Sequence, residues 1–179
     1  MEGSMKKYLY TTLLLVLLTG VTGCLTTSGP FGKEPPDAYI PTKAELSRVF
    51  SDIAEVLQSL SDGKLDESAD GLMMNTRVDE GGSLCFTIAY DGYTSDTTGL
   101  HYDGSIEIET RFTAAGELDS MMMRIGAAAN GDSLTDQIEL DINVEYTIAS
   151  DTYEFYRCYV NGCMFDSEVI EQLLRQSGL

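Results

Sequence analysis

Few side chains in this sequence are suited to metal binding or nucleophilic chemistry: it has four cysteines and one histidine. Cys85, Cys158 and Cys163 follow Cys24, and His101 stands among turn-forming residues that predict a loop. Zinc sites usually take their ligands as closely spaced pairs from turns, and the four-residue gap between Cys158 and Cys163 spans a predicted hairpin turn instead. We therefore expect no metal site and no metal cofactor.

Cys158 and Cys163 are also the pair to consider for a disulfide, which would form if the protein folds in an oxidising compartment. If Asn161-Gly162 is a hairpin turn, Val160 pairs with Cys163. Cys158 then lies diagonal to Cys163 on the same face, at a strained distance for a bond. The alternative, which we favour, is that these two and Cys85 are small buried apolar residues.

No catalytic constellation stands out. With a single histidine and no nucleophile elbow, Ser-His-Asp chemistry has no support, and the carboxylates are too numerous to single out an acid–base pair. The acidic loops Asp62–Glu67 and Asp91–Asp96 lack the alternating Asp/Asn spacing and closing Glu of an EF-hand. We predict that the protein is not an enzyme.

The charge balance excludes one class of partner. The chain has 179 residues, 29 of them acidic and 11 of them Lys or Arg, which leaves a net charge of −18. Nucleic-acid phosphates would be repelled, and few cations are present to displace their counterions. The length suits one ordinary domain.

The N-terminus has the three parts of a secretory signal. Lys6 and Lys7 form a short basic head, and the run from Tyr8 to Leu18 is apolar. Small residues then lead to a cysteine, in the order Val21, Thr22, Gly23 and Cys24.

These four residues resemble the bacterial lipobox, in which an apolar and two small residues precede a cysteine that receives diacylglycerol. The resemblance covers residues 5–24 and implies cleavage before Cys24, with acyl lipid on Cys24 as the membrane anchor. It implies a place in the bacterial cell envelope, on the extracytoplasmic side. Leu25 follows the cysteine instead of Asp, which favours the outer membrane in a diderm host. An uncleaved helix from Tyr8 to Leu25 is the alternative, at the short end for a span.

Three segments follow from this interpretation: a signal peptide at 1–23, a flexible tether at 24–41 and a single domain at 42–179. The tether contains all four prolines of the chain and can hold the domain up to about 50 Å from the bilayer.

The domain begins and ends with a predicted helix. Thr42-Lys43-Ala44-Glu45 fits a capping box, and apolar residues then recur at spacings of three and four on one face: Leu46, Val49, Phe50, Ile53, Leu57 and Leu60. Ser167 is the predicted cap of a short last helix that stops at Gly178.

From about residue 72 to 165 the apolar period is two, most clearly in Ile138–Ile148. Turn residues separate the runs, so successive strands should pair. We predict an α+β fold: a curved antiparallel meander of about six strands, with the first helix packed on its apolar face. A two-residue turn at Ala115-Gly116 sets Glu107 opposite Arg124 on the wet face. The alternative turn pairs Phe112 with Leu118, and a bulge in the three consecutive methionines would reconcile the two.

For function, we expect a lipid-anchored, non-catalytic envelope protein that binds an envelope protein partner or stabilises an envelope assembly. The alternative is a carrier of an apolar, lipid-like ligand between sheet and helix, for which the flexible methionines would suit the pocket. A carrier needs an enclosed apolar cavity. An interaction module instead has a filled core and an exposed apolar or aromatic patch.

Overall fold

The structure, a computed structural model, describes residues 39–62, 71–79 and 82–179. The predicted signal peptide, the predicted lipobox with Cys24 and nearly all of the predicted tether lie outside these residues.

Within the described residues, the chain forms two helices and one seven-stranded antiparallel sheet. The elements are α1 (Lys43–Ser61), β1 (Leu72–Val78), β2 (Leu84–Thr94), β3 (His101–Phe112), β4 (Leu118–Asn130), β5 (Ile138–Thr147), β6 (Thr152–Val160), β7 (Cys163–Met164) and α2 (Ser167–Ser177). Each strand pairs with the next along the chain, so the α+β class and the antiparallel meander are confirmed. The expected six strands become seven because Cys163–Met164 pairs with the end of β6.

Helix α1 begins with the predicted capping box. The Thr42 side chain accepts a hydrogen bond from the Glu45 N–H at 3.3 Å, and the Glu45 carboxylate accepts one from the Thr42 N–H at 2.9 Å. Glu45 also accepts the Thr135 N–H at 2.8 Å, which ties the helix start to the β4–β5 loop. The Tyr39 hydroxyl first, and then Thr42 and Thr135, hold the pKa of Glu45 well below its usual range.

The cap of α2 differs from the prediction by one residue. Asp166, not Ser167, is the N-cap, and its carboxylate accepts the Glu168 N–H at 2.9 Å. Asp166 still has extended backbone, whereas Ser167 is already helical, so only Asp166 can aim its side chain at the free N–H groups. The helix ends at Gly178 with φ 78°, as predicted.

The register of the β3–β4 hairpin is the expected one near its centre. Glu107 pairs with Arg124, and Ile106 pairs with Ile125. The isoleucines are buried, while the guanidinium of Arg124 remains in solvent, 3.4 Å from the Glu107 carboxylate.

A bulge reconciles this register with the other predicted pair. Arg111 pairs with Ser120 but Phe112 pairs with Leu118, so Asp119 is the extra residue. The bulge therefore lies just before the three consecutive methionines and not among them. The Asp119 carbonyl accepts the Ile148 N–H at 3.1 Å, which gives the bulged residue a partner outside the hairpin.

The core is one cluster of buried side chains from both helices and the sheet. Its centre is a row of four isoleucines on neighbouring strands, each at most 1% exposed: Ile88, Ile106, Ile125 and Ile142. β-Branched side chains fit this pleated surface well. Helix α1 contributes six buried residues to the same cluster: Leu46, Val49, Phe50, Ile53, Val56 and Leu57.

Asp52 of α1 links the helix to the sheet by hydrogen bonds. Its carboxylate accepts the Tyr102 hydroxyl at 2.8 Å and also the Thr98 hydroxyl. Asp52 is 2% exposed, and its second oxygen is buried without a hydrogen-bond partner. Burial, followed by the bond to Asp52, raises the pKa of Tyr102 above its usual range.

Candidate functional site

In β1 to β4, the apolar face of the sheet is buried at one end of the strands and partly exposed at the other. Two residues along from the buried Ile88 and Ile106, the paired Phe86 and Ile108 are only half-buried. Side chains two apart on a strand point to the same face, so these residues continue the core face. Beyond them, Val78 is 65% exposed.

We call this exposed end of the apolar face the open patch. It comprises seven residues of β1 to β4: Val78, Leu84, Phe86, Ile108, Phe112, Met121 and Met123. Phe112 is 42% exposed, and the other five besides Val78 are half-buried. The register holds them together, since Val78 pairs with Leu84 and Ile108 pairs with Met123.

The hydrogen bonds of α1 explain which end is covered. They reach Thr97 and Thr98 in the β2–β3 loop, and Ser133 and Thr135 in the β4–β5 loop. Both loops lie at the same end of the antiparallel strands. The open patch lies at the other end, beside the β1–β2 and β3–β4 turns.

The opposite face of the sheet carries ion pairs between strands, two of them between neighbouring strands and one from β3 to β5. Three arginines contact carboxylates there: Arg111 with Glu145 at 3.3 Å, Arg124 with Glu107 at 3.4 Å, and Arg157 with Asp141 at 2.9 Å. Hydrogen bonds from Ser120 and Tyr156, followed by the charge of Arg111, lower the pKa of Glu145. Such exposed pairs contribute little stability, about 0–1 kcal/mol each.

A shallow recess of about 290 Å³ lies beside two of these pairs, those of Arg124 and Arg157. Ser105 and Gly126, two small residues, line it, and so do Arg124 and Arg157. The Asn143 side-chain oxygen is buried there without a hydrogen-bond partner, so it can accept one more bond. Both arginines are already paired, which leaves the recess without an uncompensated cation for an anion.

The predicted cysteine pair lies where the sequence places it. Val160 pairs with Cys163, and both Cys158 and Cys163 are buried. The structure holds these two and Cys85 as free thiols, and Cys85 is half-buried instead of buried as expected. The bond between Cys158 and Cys163 stays an untested alternative. Burial raises the pKa of Cys158 to about 11, which keeps its thiol protonated and unreactive near neutral pH.

His101 does not lie in a loop, as its flanking residues suggest, but is the first residue of β3. Its pairing with Thr94 continues the β2–β3 ladder past the bulge near Gly92, and its Nδ1 lies 2.8 Å from the Thr94 hydroxyl. Among the residues that the structure describes, no group of three His, Cys, Asp or Glu is placed to hold a metal ion.

No helix in residues 39–62, 71–79 and 82–179 is long and apolar enough to cross a membrane. Comparison of the chain with protein-family models, with curated proteins and with solved structures finds no match. The surfaces of the sheet are therefore the basis for assigning a function.

The open patch is the feature that sequence patterns miss. The alternation of apolar and polar residues along β2 and β3 predicts that Phe86, Ile108 and Phe112 face the core. It does not distinguish them from Ile88 and Ile106, which are fully buried. The difference arises because α1 bonds to loops at one end of the strands only. The sequence feature that could have indicated the open patch is the run of three methionines in β4, because flexible methionine side chains suit a partly exposed apolar surface.

Proposed function

We propose that this protein is a lipid-anchored, non-catalytic module of the bacterial cell envelope that binds an envelope protein through the open patch. In this proposal the acyl lipid on Cys24 holds the chain to the membrane, and the tether lets the domain reach its partner. Helix α1 packs on one end of the apolar face and leaves the other end for the partner.

The observation that carries the proposal is the exposure of Val78 and Phe112 on the face that elsewhere forms the core. Monomeric soluble proteins rarely leave large contiguous apolar surfaces bare, and such surfaces mark binding sites. Aromatic and methionine side chains are enriched in the centres of protein interfaces, and the open patch has two of each. A partner with an apolar segment would remove this surface from water.

The interior supports an interaction module over a carrier. Leu46, Phe50 and Ile53 of α1 are at most 1% exposed and belong to one cluster with the isoleucines of the sheet. The space between helix and sheet is thus occupied by the protein's own side chains. The carrier alternative keeps one supporting feature, because Met121 and Met123 in the open patch could adapt to an acyl chain.

Photocrosslinking in the intact envelope tests the proposal. A benzophenone amino acid replaces Phe112 in the open patch, or Tyr156 on the opposite face as the matched control. Both are aromatic and exposed, at 42% and 53%. We expect a covalent adduct with one envelope protein from position 112 and none from position 156.

Other results would contradict the proposal in distinct ways. An adduct only from position 156 would move the interface to the face with the ion pairs. A lipid adduct from position 112 would establish the carrier alternative. Absence of an adduct from either position would leave neither face as a docking surface.

A further inference from the structure

Strand β1 forms an edge of the sheet. It pairs with β2 over seven residues without a register shift, and among the described residues no strand pairs with its other side. The opposite edge is β7, which is only two residues long. A short edge strand offers few free backbone groups to another chain, whereas a long regular edge strand offers a continuous row of them for pairing.

The backbone groups that β1 leaves free can be assigned. The Asp91 N–H donates to the Gly71 carbonyl at 2.9 Å, and the Asp79 N–H donates to the Ser83 carbonyl at 3.0 Å. In an antiparallel ladder the bonded pairs alternate, so Met73, Asn75 and Arg77 bond to β2. The N–H and C=O groups of the four alternate residues point away from the sheet: Leu72, Met74, Thr76 and Val78.

The side chains of β1 lack the features that usually protect an edge. The strand has no proline, no bulge and no acidic residue, and Arg77 is its one charged residue. Met73 and Val78 are 59% and 65% exposed on opposite faces. This low charge contrasts with the chain as a whole, which carries −18.

We propose that β1 is a self-association edge, which pairs antiparallel with β1 of a second copy about a two-fold axis at Asn75. This register sets Leu72 opposite Val78 and Met74 opposite Thr76 of the second copy. All four are residues whose backbone groups point outward, and each opposed pair exchanges two hydrogen bonds. The two sheets become one continuous sheet.

Side chains agree with this register. Leu72 and Val78 are both apolar and both lie on the core face, so the exposed Val78 gains an apolar neighbour. On the other face, Arg77 lies opposite Met73 and not opposite the second copy's arginine, so no like charges face each other. The two Asn75 side chains meet at the axis, where their amides can hydrogen-bond.

This register differs from one in which a foreign peptide adds to the edge, because only a two-fold pair sets Asn75 opposite itself. The two Asn75 Cα atoms would be about 4.5 Å apart, the spacing of a non-hydrogen-bonded pair. That spacing permits a disulfide, whereas two Met73 residues would be about 13 Å apart along the strands.

Cysteine crosslinking of the full chain in a bacterial envelope tests this edge. Asn75→Cys is compared with Met73→Cys, which is also an exposed position on the same strand and the same face. After mild oxidation and non-reducing electrophoresis, we expect a dimer of twice the chain mass for Asn75→Cys, at least about tenfold more abundant than for Met73→Cys. Higher salt should increase the dimer yield, because it screens the repulsion between two acidic chains.

A second variant shows whether the backbone pairing carries the contact. Thr76→Pro removes an outward N–H but no bond to β2, so Asn75→Cys/Thr76→Pro should lose the dimer while circular dichroism of the purified chain stays the same. Equal dimer yields from positions 73 and 75, or no dimer from either, would overturn the proposal. A crosslink from position 75 to a different protein would overturn it in favour of a foreign strand.

Discussion

The buried hydroxyl of Tyr102 on β3 donates a 2.8 Å hydrogen bond to the carboxylate of Asp52 on α1. This contact joins two residues 50 positions apart and sits inside a cluster of three tyrosine rings: Tyr90, Tyr93 and Tyr102. It anchors α1 at one end of the strands, and that placement leaves the open patch bare at the other.

Removing this hydroxyl should destabilise the fold. Tyr102→Phe leaves the Asp52 carboxylate with the Thr98 hydroxyl alone, and an under-satisfied buried group costs about 1–3 kcal/mol. Urea unfolding of the unlipidated chain measures the free energy of unfolding. Tyr146→Phe is the control, since its hydroxyl bond to Asp151 is exposed and its loss should cost less. If both variants lose the same free energy of unfolding, the hydrogen bond to Asp52 contributes no more to stability than an exposed one.

Gly104 is required by backbone geometry. Its φ is 117°, and a Cβ placed there would lie 2.2 Å from the Gly126 carbonyl oxygen on β4. We therefore expect Gly104→Ala to destabilise by more than about 3 kcal/mol, beyond the range of most point substitutions. Gly126→Ala is the matched control, because a Cβ there meets nothing within 4 Å. If Gly104→Ala and Gly126→Ala unfold at the same midpoint temperature in a thermal melt, this account is contradicted.

Stability should fall in acid partly through Glu45. Its pKa is lowered in the folded protein, so its contribution is present above the ordinary value of 4.5 and is lost as the pH falls toward the folded value. Glu45→Gln has no such titration. We expect the wild-type chain to lose more free energy of unfolding between pH 7 and pH 3 than Glu45→Gln loses. The same loss in both chains would assign the acid sensitivity to other carboxylates.

The open patch should contribute to binding and little to stability. Phe112→Ser removes a 42% exposed ring, and we expect the free energy of unfolding to change by less than about 1 kcal/mol. Recovery of the proposed envelope partner, identified by crosslinking from a second position such as Val78, should fall severalfold. Met164→Ser, a 69% exposed residue outside the patch, should leave recovery unchanged. A similar drop from both variants would point to an indirect effect.

The proposed lipid anchor has its own test. Cys24→Ala should abolish acylation, and the chain should leave the membrane fraction in a carbonate wash. Retention of Cys24→Ala in washed membranes would favour an uncleaved helical anchor between Tyr8 and Leu25.

Much of the local structure was predictable from sequence patterns. The alternation in Ile138–Ile148 marks β5, Thr42 and Glu45 mark the start of α1, and the pairing of Glu107 with Arg124 follows from keeping a charge in solvent. Each of these depends on residues within a few positions of one another, or on one hairpin. Local propensity and solvation decide them before the chain is packed.

Packing between distant segments decided the rest. The position of the bulge at Asp119 depends on the β3–β4 turn and on Ile148 of the next connection. The open patch exists because Asp52 and Glu45 bind loops at one end of the sheet. Periodicity shows which face is apolar, but coverage of that face is a property of long-range contacts. Only the tertiary structure could therefore separate the residues that form the core from those left available to a partner.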